Sequence, residues 1–148
     1  MKKHTKSPLT QLRNTGIILC FIQAAACFTS CQESKIERFV RETAEYTKKN
    51  CPQRIGTDGI VVLDSLVFHD DGTLNYINYY SVNADSEQVA YLISNKEELR
   101  QQLLNGIINS IDLKNVKASG LNIIHRYVSA DTHKPIFEFC FTQKDYNK

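Results

Sequence analysis

The sequence contains no glycine-rich phosphate-binding loop and no hydrolase motif. Its six glycines are scattered, and none falls in G-x-G-x-x-G or G-x-x-x-x-G-K-[ST]. A Gly-x-Ser-x-Gly sequence is also missing. These absences exclude the classes of nucleotide-binding protein and serine hydrolase that such motifs define. We predict no catalytic residue, no cofactor and no metal site.

Acidic residues are missing from the start of the chain. No Asp or Glu precedes Glu33, whereas four Lys or Arg residues do. An apolar segment of 12 residues, 17–28, follows this basic start, but a membrane-spanning helix needs about 20. A basic start, a short apolar segment and small residues before a cut site are typical of a secretory signal peptide. We predict that residues 1–30 are removed; a buried core helix or a short transmembrane anchor is the alternative.

The end of this segment, Phe28-Thr29-Ser30-Cys31, resembles the Leu-(Ala/Ser)-(Gly/Ala)-Cys sequence of bacterial lipoprotein signals. The resemblance implies that the Cys31 thiol carries a diacylglycerol and that the chain is cut before it. Two or more acyl chains would hold the protein stably on a membrane. Gln32 follows, where inner-membrane lipoproteins usually have Asp, so the resemblance favours the outer membrane of a Gram-negative cell.

Removal of the leader changes the charge balance. The full chain has 18 basic and 16 acidic residues, but four basic residues and no acidic ones lie in the leader. The remaining 14 against 16 give a net charge of −2. A basic stripe for nucleic acid is therefore absent, and we predict no nucleic-acid partner.

Residues 31–148 are enough for one domain with its own core. Capping boxes at Ser34–Glu37 and Ser94–Glu97 each precede a run of apolar residues at helical spacing. Polar turns at 70–72 and 131–134 each separate two β-forming segments. We predict an α+β fold with an αββ-αββ pseudo-repeat, in which a four-stranded antiparallel sheet carries two helices on one face.

Three short sequences, Cys51-Pro52, Asp71-Gly72 and Phe139-Cys140-Phe141-Thr142, are found in this mature part. Together with the leader they resemble small uncharacterised lipoproteins of Gram-negative bacteria. The resemblance extends over the chain and implies no particular activity.

Two cysteines, Cys51 and Cys140, remain after Cys31 is lipidated and the leader is lost. In an oxidising compartment an even pair can form a disulfide. Free cysteines are also readily buried as small apolar residues. Cys140 alternates with Phe139 and Phe141 and so points to the other face of its strand, which leaves both interpretations open.

Histidine and acidic residues offer few candidates for catalysis. His69-Asp70-Asp71 is interpreted as a solvated hairpin turn rather than a metal site. His125 lies among apolar residues of a strand, so we expect a hydrogen-bonded, half-buried side chain rather than a general base. His133 is expected at the surface of the second turn.

Tyrosines provide the candidate binding surface. Tyr76, Tyr79 and Tyr80 lie on one predicted strand and Tyr127 on another. Tyr79 points opposite to Tyr76 and Tyr80 because side chains alternate along a strand. Exposed tyrosines anchor protein partners or sugar rings, although strand tyrosines also lie at the margin of a core. The acidic turn residues Asp70 and Asp71 complete this set.

Three classes of function agree with these observations. The first is a non-enzymatic module that binds a protein at the cell envelope through its sheet or a strand edge. The second is an immunity or inhibitor lipoprotein that blocks an external enzyme or toxin, with Asp70-Asp71 as the inserted segment. The third is an enzyme acting on envelope glycan or lipid, which requires a polar pocket with gathered acids or a Cys-His pair.

Overall fold

Five strands form one mixed β-sheet in the computed structural model, which describes residues 33–56 and 59–147. The spatial order follows the chain, β1-β2-β3-β4-β5. The strands are β1 (Gln53–Ile55), β2 (Val61–Asp70), β3 (Leu74–Val82), β4 (Asn122–Ser129) and β5 (Pro135–Phe141).

Within residues 33–56 and 59–147, five helices accompany the sheet. They are α1 (Lys35–Asn50), α2 (Ser86–Ser94), α3 (Lys96–Asn109), α4 (Lys114–Ala118) and α5 (Gln143–Tyr146). The first helix begins directly after Ser34, at the position that the capping-box pattern predicts. The three middle helices all lie in the connection between β3 and β4.

The pairing of β3 with β4 is parallel, whereas the other three strand pairs are antiparallel. The predicted fully antiparallel, four-stranded sheet is therefore wrong in two respects, since β1 adds a fifth strand and the centre is parallel. Parallel neighbours need a crossover of a dozen residues or more. The segment of three helices between Val82 and Asn122 provides this crossover.

The predicted pseudo-repeat holds for the two hairpins and for one helix before each of them, α1 and α3, but the second unit also contains α2 and α4. Asp71–Thr73 and residues 130–134 join β2 to β3 and β4 to β5 as predicted. Ser94 does not begin a helix, however, because it is the last residue of α2. The capping box of this region is instead formed by Asp85 and Gln88, whose side chains each bond the other's backbone N–H.

One side of the sheet, the helix face, packs against the helices and forms the core. Helix residues such as Phe39, Ile107 and Val116 belong to the same buried cluster as side chains from four strands. The strand residues of this face include Leu63, Phe68, Tyr80, Val82, Ile123, His125, Tyr127, Phe137, Phe139 and Phe141. Phe137, Phe139 and Phe141 therefore face the core, as their spacing of two predicts.

On the opposite side of the sheet, which we call the open face, no helix of the described chain packs over the centre. Its strand residues include Val67, His69, Asn75, Ile77, Tyr79, Ile124, Arg126, Glu138 and Cys140. Ile77 and Ile124 are buried there, but neither belongs to the helix-side core cluster.

Lys35–Lys148 form a compact unit. The predicted leader, 1–30, and Cys31 lie outside the described residues. Their assignment as a signal peptide and a lipid-bearing cysteine remains a prediction.

The end of α3 is held by a lysine from α4. The Lys117 ammonium group donates to the carbonyls of Ile107, Ile108 and Ser110 at 2.8, 2.7 and 3.0 Å. Carbonyls in the last turn of a helix lack partners within the helix, and a cation there also interacts favourably with the helix dipole. Lys117 therefore fixes the turn between α3 and α4.

Replacing Lys117 by Met should destabilise the fold by about 1–3 kcal/mol, because carbonyls that are partly buried lose a charged donor. Lys114→Met is the matched control, since Lys114 is exposed on the same helix. Urea denaturation monitored by circular dichroism measures both. Equal unfolding free energies for the two variants would contradict this role of Lys117.

Candidate functional site

A shallow hollow of about 310 Å³ lies on the open face, where β2, β3 and β4 meet the first hairpin. Apolar side chains from three strands form its floor, and polar or aromatic side chains form its rim. The floor consists of Val67, Ile77 and Ile124, and the rim of His69, Asp71, Asn75, Tyr79 and Arg126. Binding sites contain both kinds of group. Apolar side chains supply contact area, and polar groups fix the orientation of the bound molecule.

The pair Tyr79 and Arg126 dominates the rim. These residues are register partners across the parallel β3–β4 pair. The Arg126 guanidinium lies 5.2 Å from the centre of the Tyr79 ring and donates to its hydroxyl at 3.0 Å. Arg126 also donates to the carboxylate of Glu138 on β5. This bond to Glu138 raises the pKa of Arg126, which therefore stays charged on an exposed sheet surface.

Asn75 organises the polar end of the hollow. It is buried, accepts from the Asn122 amide at 3.2 Å and donates to the Thr73 carbonyl at 2.9 Å. A longer contact of 3.3 Å reaches the Asp71 carboxylate. Asn75 thereby ties the hairpin turn to β4.

The hairpin tip is exposed and acidic. The Asp70 and Asp71 carboxylates accept from the backbone N–H groups of Gly72 and Thr73 at 3.1 and 3.3 Å. Gly72 has a φ of +92°, which favours glycine at this position. His69 Nε2 lies 3.9 Å from an Asp71 oxygen. Within the ranges 33–56 and 59–147, no group of three His, Cys, Asp or Glu side chains is arranged to hold a metal ion.

The structure separates the predicted tyrosine surface. Tyr79 is half-buried on the open face, and Asp71 lies at the same hollow. Tyr80 and Tyr127 are instead 8% and 5% exposed and stack in the core with ring centres 4.7 Å apart. Their assignment to a binding surface is wrong because the helices cover the face of the sheet on which they lie.

Tyr76 shares the helix face but reaches a second hollow between α1 and the turn before α4. Glu42, Tyr46 and Asp112 also line this hollow of about 260 Å³. Burial, followed by the nearby Tyr46, Glu42 and Asp112, raises the pKa of Tyr76 to about 12. The phenol is therefore neutral at physiological pH and does not act as a base.

Cys51 and Cys140 are free thiols in the structure, so the predicted possibility of a disulfide within the chain is not met. Cys51 packs against the helix-side core just before β1, whereas Cys140 lies on β5 and points to the open face. Cys51 and Cys140 thus lie at opposite edges of the sheet, four strand spacings or about 19 Å apart. A disulfide needs its two Cα atoms within about 7 Å of each other. Burial raises the pKa of both thiols, so neither is an activated nucleophile.

His125 is more deeply buried than the sequence predicts, at 7% exposed. Its Nδ1 lies 3.1 Å from the Tyr80 hydroxyl, and its ring meets Phe141 edge-on. Within the described part of the chain, the buried Nε2 has no hydrogen-bond partner. Burial lowers the pKa of His125 to about 4. The ring is therefore neutral in the core and does not reach either hollow.

Arg126, Glu138, Asn75 and the apolar floor are site residues that the sequence reasoning missed. The alternation along β4 indicated that Arg126 points away from His125 and Tyr127. It did not indicate that β4 lies beside β3, which is what brings Arg126 to Tyr79. Strand order was the missing information.

Comparisons with known proteins place the chain in a family. The model of a family described as a domain of unknown function, DUF8479, matches residues 34–137, and the chain belongs to this family. The fold of this chain is similar to the fold seen in the crystal structure of a candidate secreted protein from Pseudomonas aeruginosa, with a TM-score of 0.59 and 16% sequence identity. That likeness covers 75% of this chain and 95% of the other. No curated protein sequence matches.

No helix in the described part of the chain has the length and apolar character to cross a bilayer.

Acid should destabilise the protein through His125. Its pKa of about 4 in the folded state lies below the ordinary value of 6.5, so the unfolded chain takes up the proton first as the pH falls. The stabilisation is present above about pH 6.5 and is lost between about pH 6.5 and 4, on the order of 3 kcal/mol. Chemical denaturation at several pH values measures this loss.

The double variant Tyr80→Phe with His125→Leu removes both polar partners and should show a shallower dependence on pH. His69→Gln is the control, because His69 is exposed, and should keep the slope of the wild type. If the double variant and the wild type lose the same free energy between pH 7 and 4, the account of His125 is wrong.

Proposed function

We propose that this chain is an exported bacterial protein, anchored by a lipid on Cys31 in the cell envelope, with the outer membrane favoured. The basic start, the short apolar segment and Cys31 support this proposal. The similar fold of a candidate secreted protein from Pseudomonas aeruginosa agrees with it.

At that location we propose a non-enzymatic module that binds a protein partner through the open face. The observation that carries this proposal is the Tyr79–Arg126 pair beside an apolar floor, on a side of the sheet that the described helices leave uncovered. Tyrosine and arginine are enriched among the residues that contribute most to protein interfaces. The pair is also held in place before binding, because Glu138 orients the guanidinium, and less conformational entropy is lost on binding.

Several observations favour binding over catalysis. The polar groups of the hollow are engaged with one another rather than aimed at its centre. His125 and Cys51 lie away from the open face, and Cys140, although on that face, is not among the side chains that line the hollow. A nucleophile needs a base within hydrogen-bond reach. The described residues of the open face are therefore suited to recognition. They do not place a nucleophile beside a base.

An inhibitor or immunity lipoprotein is the second candidate. The specific observation is the exposed hairpin tip, whose Asp70 and Asp71 are fixed by hydrogen bonds to the turn backbone. A rigid acidic tip is suited to a cationic active site of an external enzyme or toxin. Such a target would come from outside the host's own envelope.

A pull-down tests the binding role. Residues 32–148 are immobilised and exposed to a detergent extract of the host envelope, and retained proteins are identified by mass spectrometry. Tyr79→Ala or Arg126→Ala should reduce retention at least about tenfold, which corresponds to about 1.4 kcal/mol. Tyr91→Ala is the matched control, because Tyr91 is 69% exposed on α2, away from the open face.

Equal loss in all three variants would contradict the assignment to the open face. A partner retained by the wild type but lost with Asp71→Asn alone would instead favour the hairpin tip and the inhibitor function. A wild type that retains no stoichiometric partner would count against a host envelope protein as the target.

Replacement of Cys31 by Ser tests the anchor. The variant should lose labelling by a fatty-acid analogue and leave the membrane fraction, because the thiol that carries the lipid is gone. Cys51→Ser serves as the control and should label like the wild type. Labelling that persists in Cys31→Ser would overturn the proposed anchoring.

A further inference from the structure

Among the described residues, most of β2 has no strand paired along its outer edge. The short strand β1 pairs only with Val61, Val62 and Leu63, and β3 occupies the other side of β2. From Ser65 to Asp70 no strand of the described chain lies along the outer edge. An exposed strand edge is a template for pairing with a further strand.

Thr47 shows which backbone groups of this edge point outward. Its hydroxyl oxygen accepts from the Leu66 N–H at 2.8 Å and donates to the Leu66 carbonyl at 2.9 Å. In an antiparallel ladder alternate residues address the same neighbour. The N–H and C=O groups of Phe68 and Asp70 therefore also point outward. Thr47 engages Leu66 and leaves these two residues available for another strand.

An apolar surface lies directly beside this edge. A groove of about 390 Å³ runs between α1 and β2, lined by Val40, Ala44, Lys48, Val67 and Phe68 among others. Val40 and Val67 are 49% and 39% exposed. Ile36, Val40 and Ala44 recur at every fourth position, so they form one exposed stripe along α1.

We propose that this edge groove binds a second copy of the chain in a two-fold symmetric dimer. Antiparallel pairing of β2 with its copy would place Phe68 opposite Asp70 of the second copy, and Asp70 opposite its Phe68. This register uses the outward groups that Thr47 leaves available. The α1 helices would then lie antiparallel with their apolar stripes in contact, and Ala44 permits close approach. A two-fold interface of this kind uses the same patch on both subunits.

Charge complementarity favours a second copy as the occupant. The last turn of α1 is basic, with Lys48 and Lys49, and Lys48 lines the groove beside Phe68. The hairpin tip carries Asp70 and Asp71 at the far end of β2. Two-fold symmetry brings Lys48 of one copy to Asp70 of the other, and it forms this contact twice. The surface is thus complementary to itself in hydrogen bonding and charge.

Sedimentation equilibrium of residues 32–148, from micromolar to millimolar concentration, tests the dimer. The wild type should associate to dimers, and Val40→Glu should weaken association at least about tenfold. Ile93→Glu is the matched control, because Ile93 is 50% exposed on α2, and should associate like the wild type. A wild type that stays monomeric throughout this range would overturn the proposal. The same result is expected if a different protein binds at the edge.

Charge exchange tests the geometry. Lys48→Glu and Asp70→Lys should each weaken dimerisation, and the double variant should restore it, because the pair is re-formed with reversed sign. Hydrogen exchange should slow with increasing concentration at the Phe68 and Asp70 amides and stay constant at the Leu66 amide. Absence of rescue, or of protection at those two amides, would overturn the proposed register.

Failure of this dimer and failure of the proposed function are distinguishable. Tyr79→Ala and Arg126→Ala change the open face and should leave the dimer intact. Val40→Glu changes the edge groove and leaves the Tyr79–Arg126 pair in place.

Discussion

The parallel pairing of β3 with β4 is the constraint on which the rest of the structure depends. Parallel neighbours require a crossover, and here the crossover contains three helices. These helices lie on the same side as α1, so the sheet has one covered and one uncovered face. The same pairing sets Tyr79 beside Arg126. The core and the candidate site are therefore two results of one strand connection.

The two faces of the sheet use aromatic residues in different ways. On the helix face, Tyr80 stacks on Tyr127, and Phe137 packs against Tyr127 at a tilt, so the contacts run across three strands. The three rings contribute buried apolar area. On the open face, Tyr79 presents its ring to a cation and its hydroxyl to the same guanidinium. Of these two adjacent residues of one strand, Tyr80 contributes to the stability of the core, and Tyr79 is the one that we propose for recognition.

Local features of this fold were predictable from the sequence. Both hairpins, the start of α1 and the inward face of the three phenylalanines follow from turn chemistry and from alternation along strands. The short strand β1 was not predictable, since it has three exposed residues and no alternation. Helix α2 was missed although Asp85-Ser86-Glu87-Gln88 carries a capping-box pattern. The pattern at Ser94–Glu97 matched the same template, but Asn95 joins two helices there.

The candidate site was harder to predict because it depends on neighbours that are distant in the chain. Alternation indicated correctly that Tyr79 opposes Tyr76 and Tyr80. Alternation does not indicate which of two faces the helices cover, and the tyrosines of the covered face were assigned to binding. The same limit applies to Cys51 and Cys140, whose separation depends on strand order.

The short distance along the chain between Cys31 and α1 has a consequence for orientation. Only three residues lie between Cys31 and Lys35, and the four extended residue steps from one to the other reach about 14 Å at most. A lipid on Cys31 would hold the start of α1 close to the headgroups, with little freedom to rotate away. In the two-fold dimer the starts of the two α1 helices would lie apart by about one helix length, roughly 24 Å. Two lipid anchors at that spacing would hold the dimer in one orientation relative to the bilayer. Each approaching partner would then meet the same side of the joined sheets.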